Sequence, residues 1–126
     1  EPGGRPIIES YGGVSLHAQS HGESFLSLLM HRFSGTGFYI LDEPEAALSP
    51  TRQLSALARI HQLAQAGAQF IISTHSPILM AYPDAWIYSL DEEGITRISY
   101  EETEHYQVTR DFLNNYEMML NVLLAD

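Results

Sequence analysis

Three observations predict an α/β fold, with a parallel sheet flanked by helices followed by a small β-hairpin and C-terminal helices. Two mainly apolar runs, 38–42 and 69–73, have the length and continuity of buried strands. A helical pattern lies between them, so the two strands require a right-handed parallel crossover. Alternating apolar and polar residues over 95–100 indicate the returning strand of a hairpin.

The elements of the N-terminal half have recognisable ends. Residues 1–23 are rich in Gly, Ser and His and are predicted to be mainly loop, and 24–33 has the apolar spacing of a short helix. Ser49 followed by Pro50 is typical of an N-cap with proline at the first helical position. Gly67 is expected to end that helix.

The C-terminal half predicts a hairpin and a helical tail. A third strand is expected over 85–90, followed by a turn over 91–94. Residues 106–124 are amphipathic and predict helix, with a break near Asn114 and Asn115. Because no repeat or low-complexity linker interrupts the sequence, the interpretation is a single partial domain, 1–126.

Composition excludes several classes of function. The chain has no cysteine, which rules out disulfides, thiolate metal sites and a cysteine nucleophile. Its net charge of -10 argues against binding to a nucleic-acid backbone by this segment. No apolar stretch approaches the roughly 20 residues of a membrane span and no cleavable signal is visible, so we expect no membrane insertion and a cytoplasmic location.

The sequence contains no lysine, and this limits nucleotide chemistry. All six basic residues are arginines. A P-loop of the pattern Gly-x-x-x-x-Gly-Lys-Ser/Thr is therefore absent from these 126 residues.

Three chemically active side chains follow the ends of the two parallel strands. Asp42 and Glu43 end the first strand, and His75 lies just beyond the second. If the strands are neighbours, these side chains lie at one edge of the sheet, where open α/β sheets bind ligands. Singly, each has an ordinary explanation, the acids as a solvated strand end and the histidine as a cap for backbone groups. Their coincidence favours a functional site.

A glycine-containing approach to a helix precedes them. The segment Gln19-Ser20-His21-Gly22-Glu23-Ser24 places small residues just before the first predicted helix. Helix N-termini of this kind bind anions such as phosphate. Taken alone, the segment is explained better as a plain N-cap at Ser20 or Ser24.

In their order, these motifs resemble the nucleotide-binding domain of ABC-type ATPases, a branch of the P-loop NTPases. The segment 19–24 is similar to the family's signature motif, 38–43 to its Walker B strand and 46–49 to its D-loop, and His75 to its switch histidine. Asp-Glu-Pro-Glu and Thr-His-Ser-Pro look more like the soluble, non-transporter members. The sequence departs from the family at Ser49, where the D-loop usually has Asp, and at His21, where the signature usually has Gly.

The resemblance implies ATP and Mg²⁺ as cofactors and assigns a role to each matching residue. Asp42 would hold Mg²⁺, Glu43 would orient or deprotonate the attacking water, and His75 would contact the γ-phosphate and steady Glu43. Two protomers would enclose two nucleotides, which predicts a homodimer. The remaining nucleotide-binding residues, partly facing the opposite protomer's ATP, would be Ser20, Gly22, Glu23 and Ser49.

Without a P-loop, this chain is expected to be the C-terminal part of an ATP-hydrolysing ABC-type ATPase, inactive alone. One alternative is a non-catalytic interaction module with a degenerate ATPase fold. Another is a metal-dependent hydrolase that uses Asp42, Glu43 and His75 as ligands, because two carboxylates and one imidazole suit Mn²⁺ or Fe²⁺.

Overall fold

The computed structural model describes the backbone of residues 22–126 and side chains from Phe25 onward. The chain divides into two compact units. Unit 1 ends at Tyr82, and its described part is 22–82. Unit 2 is Pro83–Asp126.

Unit 1 is built on two adjacent parallel strands joined through a helix, as the sequence predicts. The strands pair in register from Phe38 opposite Gln69 to Asp42 opposite Ser73. The first helix begins at Gly22 rather than at Ser24 and ends at His31. The elements are helix α1 (Gly22–His31), strand β1 (Phe38–Asp42), a 3₁₀ turn (Pro44–Ala47), helix α2 (Pro50–Gln65), strand β2 (Gln69–Ser73) and a second 3₁₀ turn (Leu79–Ala81).

Both ends of α2 lie where the sequence predicts them. The Ser49 hydroxyl accepts a hydrogen bond from the Arg52 N–H at 3.2 Å, which satisfies one free donor of the first turn. Pro50 occupies the start of the helix. Gly67 follows the helix with φ of +119°, a backbone conformation that favours glycine.

The core of unit 1 lies on one face of the two-stranded sheet. Leu41 is buried there, and its neighbours Tyr39, Phe70 and Ile72 are partly buried. Helices α1 and α2 cover this face with Phe25, Leu29, Ala56, Ile60 and Leu63.

The opposite face of the sheet remains exposed in the described chain. Phe38, Ile40 and Ile71 are each about half exposed, at 49%, 51% and 52%. The continuous apolar runs predict buried strands, and within residues 22–126 only one face of each strand is covered. The reason is that α1 and α2 pack against the same side.

Unit 2 contains the predicted hairpin and helical tail. Its first strand begins two residues later than expected and ends one residue later, and its two strands pair antiparallel across a short turn. The helical tail is interrupted at Asn115, which confirms the predicted break. The elements are strand β3 (Ile87–Asp91), strand β4 (Gly94–Ile98), a 3₁₀ turn (Tyr100–Glu102), helix α3 (Glu104–Asn114) and helix α4 (Tyr116–Leu123).

The helices are all short. Within residues 22–126, the longest is α2 with 16 residues. No helix in this part of the chain combines the length and the apolar character needed to cross a membrane.

Candidate functional site

The candidate site lies at the C-terminal ends of β1 and β2. The two strands end side by side, with Asp42 opposite Ser73. The Glu43 N–H donates to the Ser73 carbonyl oxygen at 2.6 Å, which extends the pairing one residue beyond β1. The segments that leave the two strands therefore begin at the same sheet edge, where ligands of α/β sheets bind.

Glu43 turns the chain out of the sheet and meets His75. Its backbone is left-handed, with φ of 49° and ψ of 54°. One carboxylate oxygen of Glu43, Oε2, lies 3.6 Å from Nε2 of His75. The side chains are 51% and 71% exposed, respectively. A polar contact with that exposure adds little to stability, so the importance of this contact is its geometry.

Glu45 joins the two segments that leave the sheet. Its Oε1 accepts a hydrogen bond from the Thr74 hydroxyl at 2.6 Å, and its Oε2 accepts one from the His75 backbone N–H at 2.9 Å. The 3₁₀ turn Pro44–Ala47 brings Glu45 to this position directly after Glu43. The carboxylate thus bridges the end of β1 and the end of β2.

A second connection holds the same segment against α2. Ser76 is buried, and its hydroxyl donates to the side-chain oxygen of Gln53. The amide nitrogen of Gln53 in turn donates to the Leu48 carbonyl at 3.1 Å. Residues 74–76 are therefore anchored on one side by Glu45 and on the other by Gln53.

Two further predicted site residues lie near this edge. Asp42 is the last residue of β1 and is exposed to solvent, so its carboxylate is available to a ligand. Ser49 is also exposed, and its hydroxyl already caps α2. The nucleotide contact assigned to Ser49 stays a prediction.

The signature-like residues are only partly described. Ser20 lies outside the described residues. Gly22 and Glu23 lie in the first turn of α1, and the side chain of Glu23 lies outside the described part. Their roles in nucleotide binding stay predictions.

The site does not supply a complete metal-ligand set by itself. Among residues 22–126, no group of three or more His, Asp or Glu side chains could hold a metal ion. Asp42, Glu43 and His75 therefore do not form the three-ligand centre of a metal-dependent hydrolase. An exposed aspartate oxygen still suits Mg²⁺ that takes its other ligands from phosphate and water.

The electrostatics of the edge are negative. Three carboxylates lie within residues 42–45, and the sequence has no Lys or Arg between 38 and 51. Like charges repel, so a triphosphate needs a metal ion or cationic groups from elsewhere to approach this edge.

Residues 9–81, more than half of the chain, match the family described as "AAA domain, putative AbiEii toxin, Type IV TA system". The chain belongs to this AAA-domain family. Membership supports a nucleotide-binding role of the P-loop NTPase type, and the match is not specific to ABC ATPases. The chain matches no curated protein and no solved structure.

Sequence reasoning missed the residues that organise the site. Glu45 and Thr74 belong to the motifs Asp-Glu-Pro-Glu and Thr-His-Ser-Pro, which in the sequence indicate only a subtype. The signal was a second glutamate, two positions after Glu43. Its partners lie about 30 residues away, and only the parallel pairing of the strands brings them together.

Proposed function

We propose that this chain supplies the catalytic edge of an ABC-type ATPase of the soluble, non-transporter kind. The observation that carries this proposal is the contact between Glu43 and His75 at adjacent parallel strand ends. Membership of the AAA-domain family supports nucleotide binding at the coarser level. The ABC assignment rests on the order of the signature-like, Walker B-like, D-loop-like and switch-histidine motifs.

In this proposal, the acids and the histidine divide the work of phosphoryl transfer. Asp42 would hold Mg²⁺, and the ion would supply positive charge that offsets the charge of the phosphates. Glu43 accepts a proton from the attacking water or orients it. His75 donates a hydrogen bond toward the γ-phosphate and keeps Glu43 in place. Positioning and charge stabilisation dominate such reactions, because the protein makes no covalent bond to the substrate.

The α- and β-phosphates require a P-loop that these 126 residues do not contain. We propose that it comes from sequence outside this chain, in a protein that forms a homodimer. Ser20 and Gly22 would then face the ATP of the opposite protomer. The isolated chain is expected to bind Mg-ATP poorly, since its catalytic edge is negative. Isothermal titration tests this, and a micromolar Kd would contradict it.

The decisive experiment replaces one carboxylate oxygen of Glu43 with an amide nitrogen. In the protein that includes the P-loop, Glu43→Gln is expected to abolish ATP turnover and leave ATP binding intact, because the amide cannot accept a proton. Phosphate release and nucleotide binding are measured together. Glu92→Gln, an exposed acid in unit 2, is the matched control and should retain turnover. Near wild-type hydrolysis by Glu43→Gln would remove Glu43 from this role.

A non-catalytic interaction module is the second candidate. The absence of lysine, and hence of a P-loop, favours it. It predicts that the complete protein shows no turnover even before mutation. Measurable wild-type hydrolysis that depends on Glu43 decides in favour of the ATPase.

A further inference from the structure

The Glu45 carboxylate uses both of its oxygens on the segment that carries His75. One oxygen accepts from the Thr74 hydroxyl at 2.6 Å, and the other accepts from the His75 N–H at 2.9 Å. The Thr74 hydroxyl oxygen also accepts from the Ser76 N–H at 3.0 Å. One acidic group therefore orders three consecutive residues after β2.

Glu45 is also fixed relative to Glu43. Only Pro44 separates them, and the Ala46 N–H donates to the Glu43 carbonyl at 3.1 Å within the same turn. A rigid turn thus carries the carboxylate that faces His75 and the carboxylate that holds the His75 backbone. The 3.6 Å contact between Glu43 and His75 joins this turn to the segment after β2.

We propose that Glu45 is a positioning residue that holds the His75 imidazole against Glu43, an inference that rests on the proposed ATPase function. Glu45 acts through hydrogen bonds to the segment after β2 and touches no reacting atom itself. Hydrogen bonds to a charged acceptor are the stronger kind and fix geometry well. Small displacements of a catalytic group can lower turnover by about 100-fold.

The proposal depends on a carboxylate, which accepts two hydrogen bonds at once. Glu45→Ala removes both. Glu45→Gln keeps one carbonyl oxygen for the His75 N–H, and its amide can donate to the Thr74 hydroxyl after that hydroxyl turns. We therefore expect a large effect from alanine and a small one from glutamine.

Amide hydrogen exchange in the 126-residue chain tests the contact without any enzyme activity. Glu45→Ala should lower the protection of the His75 amide by about tenfold or more, which corresponds to about 1.4 kcal/mol, while Glu45→Gln should largely retain it. Gln53→Ala is the matched control, because it removes the other anchor of the same segment without touching Glu45. Unchanged protection in Glu45→Ala, or an equal loss in Gln53→Ala, would overturn the inference.

Turnover in the P-loop-containing protein tests the catalytic consequence. Glu45→Ala should lower kcat by about 10- to 100-fold with little change in KM. It should cause no further loss in a His75→Ala background, since Glu45 acts through that imidazole. If the two losses multiply, Glu45 has a separate structural role and the inference fails.

The two proposals fail in distinguishable ways. If the losses of turnover in Glu45→Ala and His75→Ala multiply while Glu43→Gln is still inactive, the positioning role of Glu45 is excluded and the ATPase proposal stands. No wild-type turnover would remove the ATPase proposal and the catalytic role of Glu45 with it. The exchange experiment would then still decide whether Glu45 holds the His75 segment.

If Glu45→Ala does not fold, Thr74→Val is the second variant, and it should weaken the protection of the Ser76 amide while the His75 amide stays bonded to Glu45.

Discussion

The two units have similar apolar patterns in their sequences but differ in how far they bury their side chains. In unit 1, apolar spacing produces a core that includes Leu29, whose side chain is fully buried. In unit 2, the only buried residue is Thr103. Most of the sixteen acidic residues also lie in unit 2. Its exposed large apolar side chains are Trp86, Tyr88, Leu90, Ile95, Val108, Leu113, Tyr116, Met118, Leu120, Val122, Leu123 and Leu124.

This difference shows what periodicity does and does not determine. The spacing of apolar residues predicts whether a segment is a helix or a strand, because each backbone places residues of a different spacing on one face. Burial depends on a second surface at the right distance. Helix α4 has the correct helical pattern yet buries none of its residues, whereas α1 and α2 pack against the sheet.

The largest expected effect on stability is the difference between a buried leucine in unit 1 and an exposed leucine in unit 2. Leu29→Ala in unit 1 should lower the free energy of unfolding by about 2–5 kcal/mol, through lost burial and a cavity. Leu123→Ala, at a position 66% exposed, should change it by no more than about 0.5 kcal/mol. Urea unfolding of the 126-residue chain at two protein concentrations measures both. Equal losses would mean that Leu123 is covered in solution.

A smaller effect compares two glycines in unusual conformations. Gly67 in unit 1 and Gly94 in unit 2 have φ of +119° and +124°. An added Cβ at Gly67 would lie 3.0 Å from the Gly35 carbonyl oxygen, and one at Gly94 would meet nothing within 4 Å. Each Ala variant carries backbone strain of about 1–3 kcal/mol.

We therefore expect Gly67→Ala to be the more destabilising of the two. Amide exchange in each unit gives the local free energy of opening. A larger loss in Gly94→Ala would show that backbone strain alone, and not the crowded carbonyl, sets the order.

The smallest expected effect is a local loss of stability in unit 2 at low pH. Hydrogen bonds from the Ser99 backbone N–H and the Ser99 hydroxyl hold the pKa of Glu102 below its ordinary value of 4.5. A lowered pKa in the folded chain means that the carboxylate stabilises the fold fully above about pH 4.5 and loses this contribution as the pH falls through the folded value. The first turn after Ser99 should therefore open on acidification.

The protection of the Ser99 amide against hydrogen exchange, relative to an unfolded chain at the same pH, measures this opening between pH 6 and pH 3. Glu102→Gln should remove the pH dependence of this protection, because its side-chain oxygen still accepts the hydrogen bond and does not titrate. The Arg52 amide, bonded to the neutral Ser49 hydroxyl in unit 1, should show no comparable change. A similar loss at both amides would indicate general acid unfolding.

Much of the fold could be predicted from local signals. Both strands of the parallel pair, the Ser49 cap, the Gly67 stop and the break near Asn115 lie where the sequence indicates them. Each depends on a few adjacent residues. Strand ends in the hairpin were less accurate, because Asp91 and Gly94 continue the pairing into what resembled a turn.

The site could be predicted only in part. That Glu43 and His75 approach each other follows from strands that end at one edge, and such ends are visible in the sequence. The two hydrogen bonds that Glu45 accepts from Thr74 and His75 were not visible, because they depend on the left-handed turn at Glu43 and the 3₁₀ segment after it. A glutamate in that conformation has no strong local signature.

The left-handed turn at Glu43 lowers the stability of the fold at the position of the proposed catalytic base. A left-handed residue with a side chain costs about 1–2 kcal/mol more than the right-handed form, and glycine avoids most of this. Selection for heat resistance alone would favour glycine at position 43 and discard the carboxylate. A lineage that needs the acid would keep it and tolerate a slightly lower melting temperature.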